Sequence, residues 1–241
     1  MWVKVCGTTS LEDARLAVDA GADALGFVFT ASPRQVAPSE VRAITMQLPT
    51  AIERYGVFVH PSFEQVVATV DEANLSGVQL HATDDPTLAP RLREHYAALQ
   101  ATGRRRLALV RVLHLDPQAA TQDVLEEQLA ALHPDHAGHV VDAILIDSRT
   151  AVAMGGTGLR FDWAEASGSF LRAAPHLRLV VAGGLNPENV AEAIATLRPW
   201  GVDVVTGVEA APGRKDPRKV RAFVERARAA ARAMAATPGL A

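Results

Sequence analysis

Continuous apolar runs alternate along the chain with amphipathic segments. Eight short runs contain little polar alternation: WVKVC, ALGFVF, RYGVFV, GVQLH, LALVRVL, VVDAILID, RLVVAGG and GVDVVTG. Such runs are typical of parallel strands that are covered on both faces. Segments with helical spacing separate most of them, for example SLEDARLAVDAG, SFEQVVATVDEA and PENVAEAIATL. The pattern therefore predicts a repeated βα unit.

Eight such units favour an α/β fold in which the strands close into a (βα)8 TIM barrel. Closure removes the exposed edges that an open, doubly wound sheet, the alternative, would have to protect. The sixth unit has the weakest pattern, because DWAEASGSFL is short and contains Gly168. We expect one domain over residues 1–234, ending in a long helix from Asp216 to near Met234, and a frayed tail over residues 235–241.

Composition and charge narrow the possible partners. Hydrophobic residues make up 49% of the chain, and 24 basic against 27 acidic residues give a formal charge of -3. This balance removes any global attraction to nucleic acid or to an anionic membrane. The basic run at residues 104–106 has no interleaved aromatic residues, so we interpret it as a solvated loop. No apolar stretch reaches the roughly 18 residues that a membrane span requires.

The chain has a single cysteine, Cys6, and cannot form an internal disulfide. Its start lacks the apolar stretch and cleavage site of a signal peptide. We therefore expect a cytoplasmic protein.

Conspicuous residues fall at the carboxyl ends of the predicted strands, where the active site of a βα barrel lies. They are Cys6, His81, Asp147, Gly183, Gly184 and Gly207. Three glycine segments follow the last three strands: GGTG at residues 155–158, AGGLNPEN from Ala182 and TGVE from Thr206. Glycine lets backbone N–H groups converge on an anion, so the segments predict a phosphate site. Strand ends and helix caps are the alternative explanation for each glycine alone, and no GxGxxG follows the first strand.

Cys6 and Asp147 suggest a base and an acid. An ionised thiol can remove a proton from carbon, although a thiol is mostly neutral near pH 7 unless its neighbours lower its pKa. The alternatives are a buried small hydrophobic residue for Cys6 and a turn cap for Asp147.

Lys4 lies two residues before Cys6 and therefore shares its side of the first strand. Inside a closed barrel the eighth strand, which carries Asp203, lies beside the first. We predict that Lys4 and Asp203 pair inside the barrel; the alternative is that Lys4 points outward. The pair would help Cys6 to ionise, with part of the benefit offset by desolvation.

Ordered blocks of the sequence resemble the phosphoribosylanthranilate isomerase family. They are KVCGTT, GADALGFVF, SPRQV, GVFV, VQLH, IDS with GGTGLRFDW, AGGLNPENV, and VDVVTGVE with GRKDPRKV. The resemblance extends from Lys4 to about Phe223. Gln35, Ala82 and Thr206 depart from the family's usual residues, and none of these departures removes the candidate acid or base.

The resemblance implies an Amadori rearrangement of a phosphorylated sugar in tryptophan biosynthesis. It assigns general base to Cys6 and general acid to Asp147, and it puts Arg34 near the substrate, where a guanidinium suits the anthranilate carboxylate. Gln79 and His81 would form polar lining, although a histidine satisfied by a backbone partner is equally compatible with the sequence. The phosphate would be held by Gly156, Gly158, Gly183, Gly184, Thr206 and Gly207.

No metal, flavin or nicotinamide cofactor is implied, because the substrate nitrogen can serve as the electron sink. The partner would be a small phosphorylated substrate, and a monomer and a homodimer are both compatible with the sequence. Another phosphate-binding barrel, such as indole-glycerol phosphate synthase or a sugar-phosphate epimerase, would share the glycines but not KVCG. A noncatalytic phosphometabolite-binding protein is the remaining alternative.

Overall fold

Eight parallel strands close into a barrel in the order of the sequence, as predicted. The computed structural model of the chain describes residues 1–100, 106–113, 140–147 and 177–236. The strands are β1 (Trp2–Val5), β2 (Ala24–Val28), β3 (Glu53–Val59), β4 (Gly77–Ala82), β5 (Ala108–Leu113), β6 (Ala143–Asp147), β7 (Arg178–Ala182) and β8 (Gly201–Val204). Each strand contains the centre of one predicted apolar run.

Helices lie between strands, as the amphipathic segments predict. The described helices are α1 (Leu11–Asp19), α2 (Pro38–Thr45), α3 (Phe63–Glu72), α4 (Leu88–Gln100), α5 (Val190–Leu197) and α6 (Pro217–Ala236). The last helix runs two residues past the expected end near Met234. The weakly patterned segment DWAEASGSFL and residues 237–241 lie outside the described residues.

A short antiparallel hairpin, which the apolar pattern did not predict, follows β8. Its strands are β9 (Glu209–Ala211) and β10 (Arg214–Lys215). Gly213 has a φ of 78° between them, in the left-handed region that glycine adopts without a steric penalty.

Local signals explain where α1 begins and ends. The Ser10 hydroxyl accepts a hydrogen bond from the backbone N–H of Asp13, which satisfies a donor that the first turn of a helix leaves unpaired. At the other end Gly21 has a φ of 91°, the conformation that commonly terminates a helix.

The core has two parts because successive residues of a strand face opposite sides of the sheet. Val3 and Val5 of β1 belong to the large cluster between the sheet and the helices. Trp2 belongs to a separate cluster inside the barrel, which includes Tyr55 and Val110. Lys4 has the same parity as Trp2, so β1 directs this lysine into the barrel.

Charged and aromatic side chains fill the amino-terminal mouth of the barrel. Trp2 stacks on Trp200 with ring centroids 5.0 Å apart. Arg106 pairs with Asp142 at 2.5 Å, with about half of its side chain exposed, which agrees with the solvated loop expected there; residues 104 and 105 lie outside the described residues. Within the described ranges, no helix is both long and apolar enough to span a bilayer.

Candidate active site

A cavity of about 350 Å³ lies at the carboxyl-terminal mouth of the barrel. Seven of the predicted site residues line it: Cys6, Arg34, Gln79, His81, Gly183, Gly184 and Thr206. Residues that are far apart in the sequence therefore meet at one end of the sheet, as the strand-end argument predicts.

Three other predicted residues lie partly or wholly outside the described residues. Asp147 is the last residue of β6, and its backbone is in register with Ala182, which lines the cavity. The Asp147 side chain and the whole of Gly156 and Gly158 are not among the described groups.

Cys6 follows directly after β1 and is buried, with 3% of its surface exposed. Its backbone N–H donates to the carbonyl of Val204, 2.8 Å away, which extends the pairing of β1 with β8. The thiol lies against Gly26 of β2: a Cβ at Gly26 would be 2.4 Å from Sγ. Only glycine at this position leaves room for the thiol.

Lys4 and Asp203 pair inside the barrel, which confirms the prediction from strand parity. Their Cα atoms are in register between β1 and β8, and Lys4 Nζ lies 3.0 Å from Asp203 Oδ2. Lys4 Nζ also donates to Gln79 Oε1 at 2.9 Å. The other carboxylate oxygen, Asp203 Oδ1, is buried without a hydrogen-bond partner among the described residues.

Lys4 favours the Cys6 thiolate, as expected, but burial outweighs this effect on the pKa of the thiol. Burial raises the pKa of the Cys6 thiol and Asp203 raises it further, whereas Lys4 and Lys215 lower it. Desolvation is the largest effect, so the pKa of the thiol lies above its usual value. Burial lowers the pKa of Lys4, but Asp203 and Cys6 raise it by more, so Lys4 stays charged.

Arg34 lines the cavity, but most of its guanidinium is engaged by a residue that the sequence did not single out. Arg34 Nε and Nη2 donate to the two carboxylate oxygens of Glu209 at 2.7 and 2.6 Å. This bidentate pair leaves Nη1 as the nitrogen that can meet a ligand. The position of Arg34 also explains why residue 7 is a glycine, since a Cβ at Gly7 would lie 2.7 Å from Arg34 Cδ. The role of Arg34 toward a substrate carboxylate stays a prediction, with Nη1 as the nitrogen that the pair leaves available.

The described glycine turns pack closely at the ends of β7 and β8. Gly183 and Gly184 have φ values of 78° and 64°, which favour glycine. At Gly207 a Cβ would lie 1.9 Å from the carbonyl oxygen of Leu185, so no larger residue fits between the two turns. Asn189 Nδ2 donates to the Gly184 carbonyl at 3.1 Å and holds the first turn against the start of α5.

Sequence reasoning missed three residues at the site: Gly26, Glu209 and Lys215. Gly26 lies inside an apolar strand, and a glycine there does not change the hydrophobic pattern from which the strand was predicted. Glu209 and Lys215 flank the hairpin turn at Gly213, and opposite charges around a glycine were the available signal. In the described part of the chain, no group of three or more His, Cys, Asp or Glu side chains could hold a metal ion.

A closed barrel of eight parallel strands, with a cavity at their carboxyl ends, defines the TIM-barrel class. The family model described as N-(5'-phosphoribosyl)anthranilate isomerase matches residues 3–106 and 103–226. The N-(5'-phosphoribosyl)anthranilate isomerase of Citrifermentans bemidjiense is 41% identical over 227 residues, which cover 94% of this chain and 96% of that protein. The chain belongs to the N-(5'-phosphoribosyl)anthranilate isomerase family, and its activity is that isomerisation in tryptophan biosynthesis.

Solved structures agree with this assignment. The phosphoribosyl anthranilate isomerase of Thermotoga maritima is 34% identical, with a TM-score of 0.74 over 95% of this chain and 99% of that one. A phosphoribosyl anthranilate isomerase in complex with reduced 1-(o-carboxyphenylamino)-1-deoxyribulose 5-phosphate is 33% identical, with a TM-score of 0.73 and the same coverage. The family resemblance of the sequence blocks is thereby confirmed.

Proposed function

We propose that Cys6 is the general base and Asp147 the general acid of the isomerisation. The observation that carries this proposal is the position of the only thiol of the chain, at the end of β1 on the wall of the cavity. Asp147 ends β6 at the level of Ala182 on the same wall, so its backbone position is compatible with a role in that cavity.

The reaction consists of two proton transfers within one substrate. Asp147 donates a proton to the furanose ring oxygen as the C1–O bond breaks and the anthranilate nitrogen forms a Schiff base. The Cys6 thiolate then removes the proton from C2, and the electron pair moves toward the nitrogen to give an enolamine. Tautomerisation yields the aminoketone 1-(2-carboxyphenylamino)-1-deoxyribulose 5-phosphate. The substrate itself accepts the electrons, so these steps involve acid and base catalysis alone.

Substrate binding is proposed for the remaining lining residues. Arg34 meets the anthranilate carboxylate through Nη1 while Glu209 holds the rest of the guanidinium. Gln79 and His81 form polar lining on β4. The ribose phosphate is bound by Gly156, Gly158, Gly183, Gly184, Thr206 and Gly207, a proposal supported by the left-handed backbone of Gly183 and Gly184.

The decisive experiment follows the fluorescence decay of freshly made phosphoribosylanthranilate with the wild type, Cys6→Ser and Asp147→Asn. Both substitutions keep the approximate size of the side chain and remove the proton transfer, so we expect a loss of about 100-fold or more in kcat for each. Equal activity in all three proteins would exclude the proposed roles. An Arg221→Met variant, changed at an exposed position of α6, is the control for unspecific effects of substitution.

Compartment and assembly complete the proposal. We propose a cytoplasmic enzyme with a small phosphorylated substrate, because Cys6 is required as a free thiol and a reducing compartment preserves it. A structure titled as monomers generated from the dimeric Thermotoga maritima enzyme resembles this chain with a TM-score of 0.72. Both a monomer and a homodimer are compatible with this likeness, and analytical ultracentrifugation distinguishes them.

A further inference from the structure

Lys215 is a buried lysine whose three ammonium protons all find acceptors in the described structure. Its side chain has no exposed surface. Nζ donates to the carbonyl oxygen of Cys6 at 2.6 Å, to the carbonyl of Val205 at 3.4 Å and to Glu209 Oε1 at 3.3 Å. Because a buried ammonium is costly unless it is fully paired, this arrangement fixes the lysine in one position.

The two carbonyls follow the ends of β1 and β8, where the barrel closes. Cys6 is therefore held from both sides: its N–H donates to Val204, and its carbonyl accepts from Lys215. The proposed base stands directly after the end of β1. Its N–H continues the pairing with β8, and Lys215 supplies a hydrogen bond to its carbonyl oxygen.

Glu209 connects this lysine to the substrate side of the cavity. Its carboxylate accepts from Lys215, from both edge nitrogens of Arg34 and from the backbone N–H of Gly213. Burial raises the pKa of Glu209, but the bonds and charges of Arg34 and Lys215 lower it by more, so the carboxylate stays ionised. Burial lowers the pKa of Lys215, and the charge of Glu209 opposes that effect. Protonated Lys215 thus joins Arg34 as a second cation on Glu209, while the Asp13 carboxylate accepts from the Lys215 backbone N–H at 3.2 Å.

Charged groups from several elements surround the thiol. Lys4 of β1 and Lys215 of β10 favour the thiolate, whereas Asp203 of β8 opposes it. Arg34, in the segment after β2, also interacts electrostatically with Cys6. Lys4 has Asp203 as its direct partner, so part of its charge is neutralised. Lys215 brings a second cation, which binds the Cys6 carbonyl oxygen.

We propose that Lys215 is a positioning residue for the base, because it fixes the Cys6 backbone and stabilises the thiolate of this buried side chain. This inference rests on the proposed role of Cys6. Lys215 does not touch the reacting atoms; it acts through Cys6. Its effect belongs in the ionisation of the thiol and in kcat rather than in substrate affinity.

The test compares Lys215→Met with Lys219→Met. Methionine preserves most of the length and removes the charge. Among the described residues, Lys219 Nζ donates to the Glu209 backbone carbonyl alone, at 3.0 Å, and not to Cys6. The rate of alkylation by iodoacetamide is measured against pH on the folded proteins. Since Cys6 is the only cysteine, alkylation of a thiol, identified by peptide mass spectrometry, reports this residue alone.

We expect Lys215→Met to raise the alkylation midpoint by about one pH unit and to lower kcat about tenfold with little change in KM. Lys219→Met should match the wild type in both measurements. A wild-type midpoint in folded Lys215→Met would overturn the inference. If the single variant does not fold, the double variant Lys215→Met/Glu209→Gln, which also neutralises the carboxylate that has lost its lysine partner, is measured against Glu209→Gln alone.

The outcomes separate this inference from the proposed function. If Cys6→Ser retains full activity, Cys6 is not the base and the catalytic meaning of Lys215 is lost. The alkylation midpoint still reports whether Lys215 stabilises the thiolate, because that measurement does not depend on turnover.

Discussion

At the scale of single residues, burial and charge act in opposite directions on Cys6. Burial favours the neutral thiol, and Lys4 and Lys215 favour the thiolate. Parity along β1 was enough to predict that Lys4 points inward, since the side-chain period of a strand is two. The net direction of the pKa shift of Cys6 could not be predicted from the sequence. Desolvation depends on packing against residues such as Gly26, and a glycine inside an apolar strand does not alter the sequence pattern.

Gly26→Ala tests whether the space beside the thiol matters. The added methyl would lie 2.4 Å from Sγ, so we expect the Cys6 side chain to move and kcat to fall about tenfold or more. Gly56→Ala on β3 is the matched control: its methyl would lie 2.7 Å from Leu75 and Phe58, away from Cys6. Overpacking should destabilise both by about 1–3 kcal/mol in urea unfolding. Equal kcat values for the two variants would contradict the prediction.

The pair of Lys4 and Asp203 should be costly to break from one side. Asp203→Leu leaves a buried ammonium without its carboxylate, and we expect a loss of about 3–5 kcal/mol in the free energy of unfolding. The double variant Lys4→Met/Asp203→Leu removes both charges and should recover most of that loss. Urea denaturation of the two variants and the wild type measures it, and a double variant no more stable than Asp203→Leu would refute the pairing argument.

At the scale of elements, the apolar runs predicted all eight strands because a barrel strand is covered on both faces. The β9–β10 hairpin was not predicted, because it is not covered on both faces and so lacks an apolar run. Its segment EAAPGRK has few apolar residues, and its position depends on Glu209 and Lys215 reaching groups that lie far away in the sequence. Periodicity reports how an element meets its neighbours, so an element held by single polar contacts gives no periodic signal.

Ser62→Ala tests a local signal at the start of α3. The Ser62 hydroxyl accepts from the backbone N–H of Gln65 at 3.1 Å, and its removal leaves that donor unpaired in the first turn. We expect a loss of about 1 kcal/mol in unfolding free energy. Thermal unfolding provides the measurement, while Ser62→Asp, which retains a capping oxygen, should stay close to the wild type. A kcat that falls with the alanine substitution would contradict a purely structural role.

At the scale of the whole molecule, the strand ends predicted which residues meet, but not how they pair. The closed barrel brings Cys6, Gln79 and Thr206 to one cavity. The bidentate contact of Arg34 with Glu209 joins residues 175 positions apart in the sequence. No local pattern specifies such a pair, because it depends on the path of two loops above the barrel.

Stability at acid pH depends on two ion-paired carboxylates, Glu209, which is buried, and Asp142, which is partly buried. Burial raises the pKa of Glu209 and Asp142, but hydrogen bonds and arginine charges lower both below their ordinary values of 4.5 and 3.8. The unfolded chain therefore binds more protons in this range, and stability is lost as the pH falls below about 4.5 through the two folded-state values. Urea midpoints measured from about pH 6 down to about pH 3 test this. The Glu209→Gln variant should lose less stability over this range, whereas an unchanged slope would contradict the assignment.

Closure of the barrel also makes the environment of Cys6 sensitive to whether the chain has finished folding. Lys4 and Asp203 are separated by 199 positions, and they meet only when the first and last strands pair. The surroundings of Cys6 therefore do not exist in any partly folded intermediate that lacks the seam between β1 and β8. During refolding, the alkylation rate of this one thiol should change with the final step, later than helix formation seen by circular dichroism. The alkylation rate of the only thiol in the chain therefore reports when folding is complete.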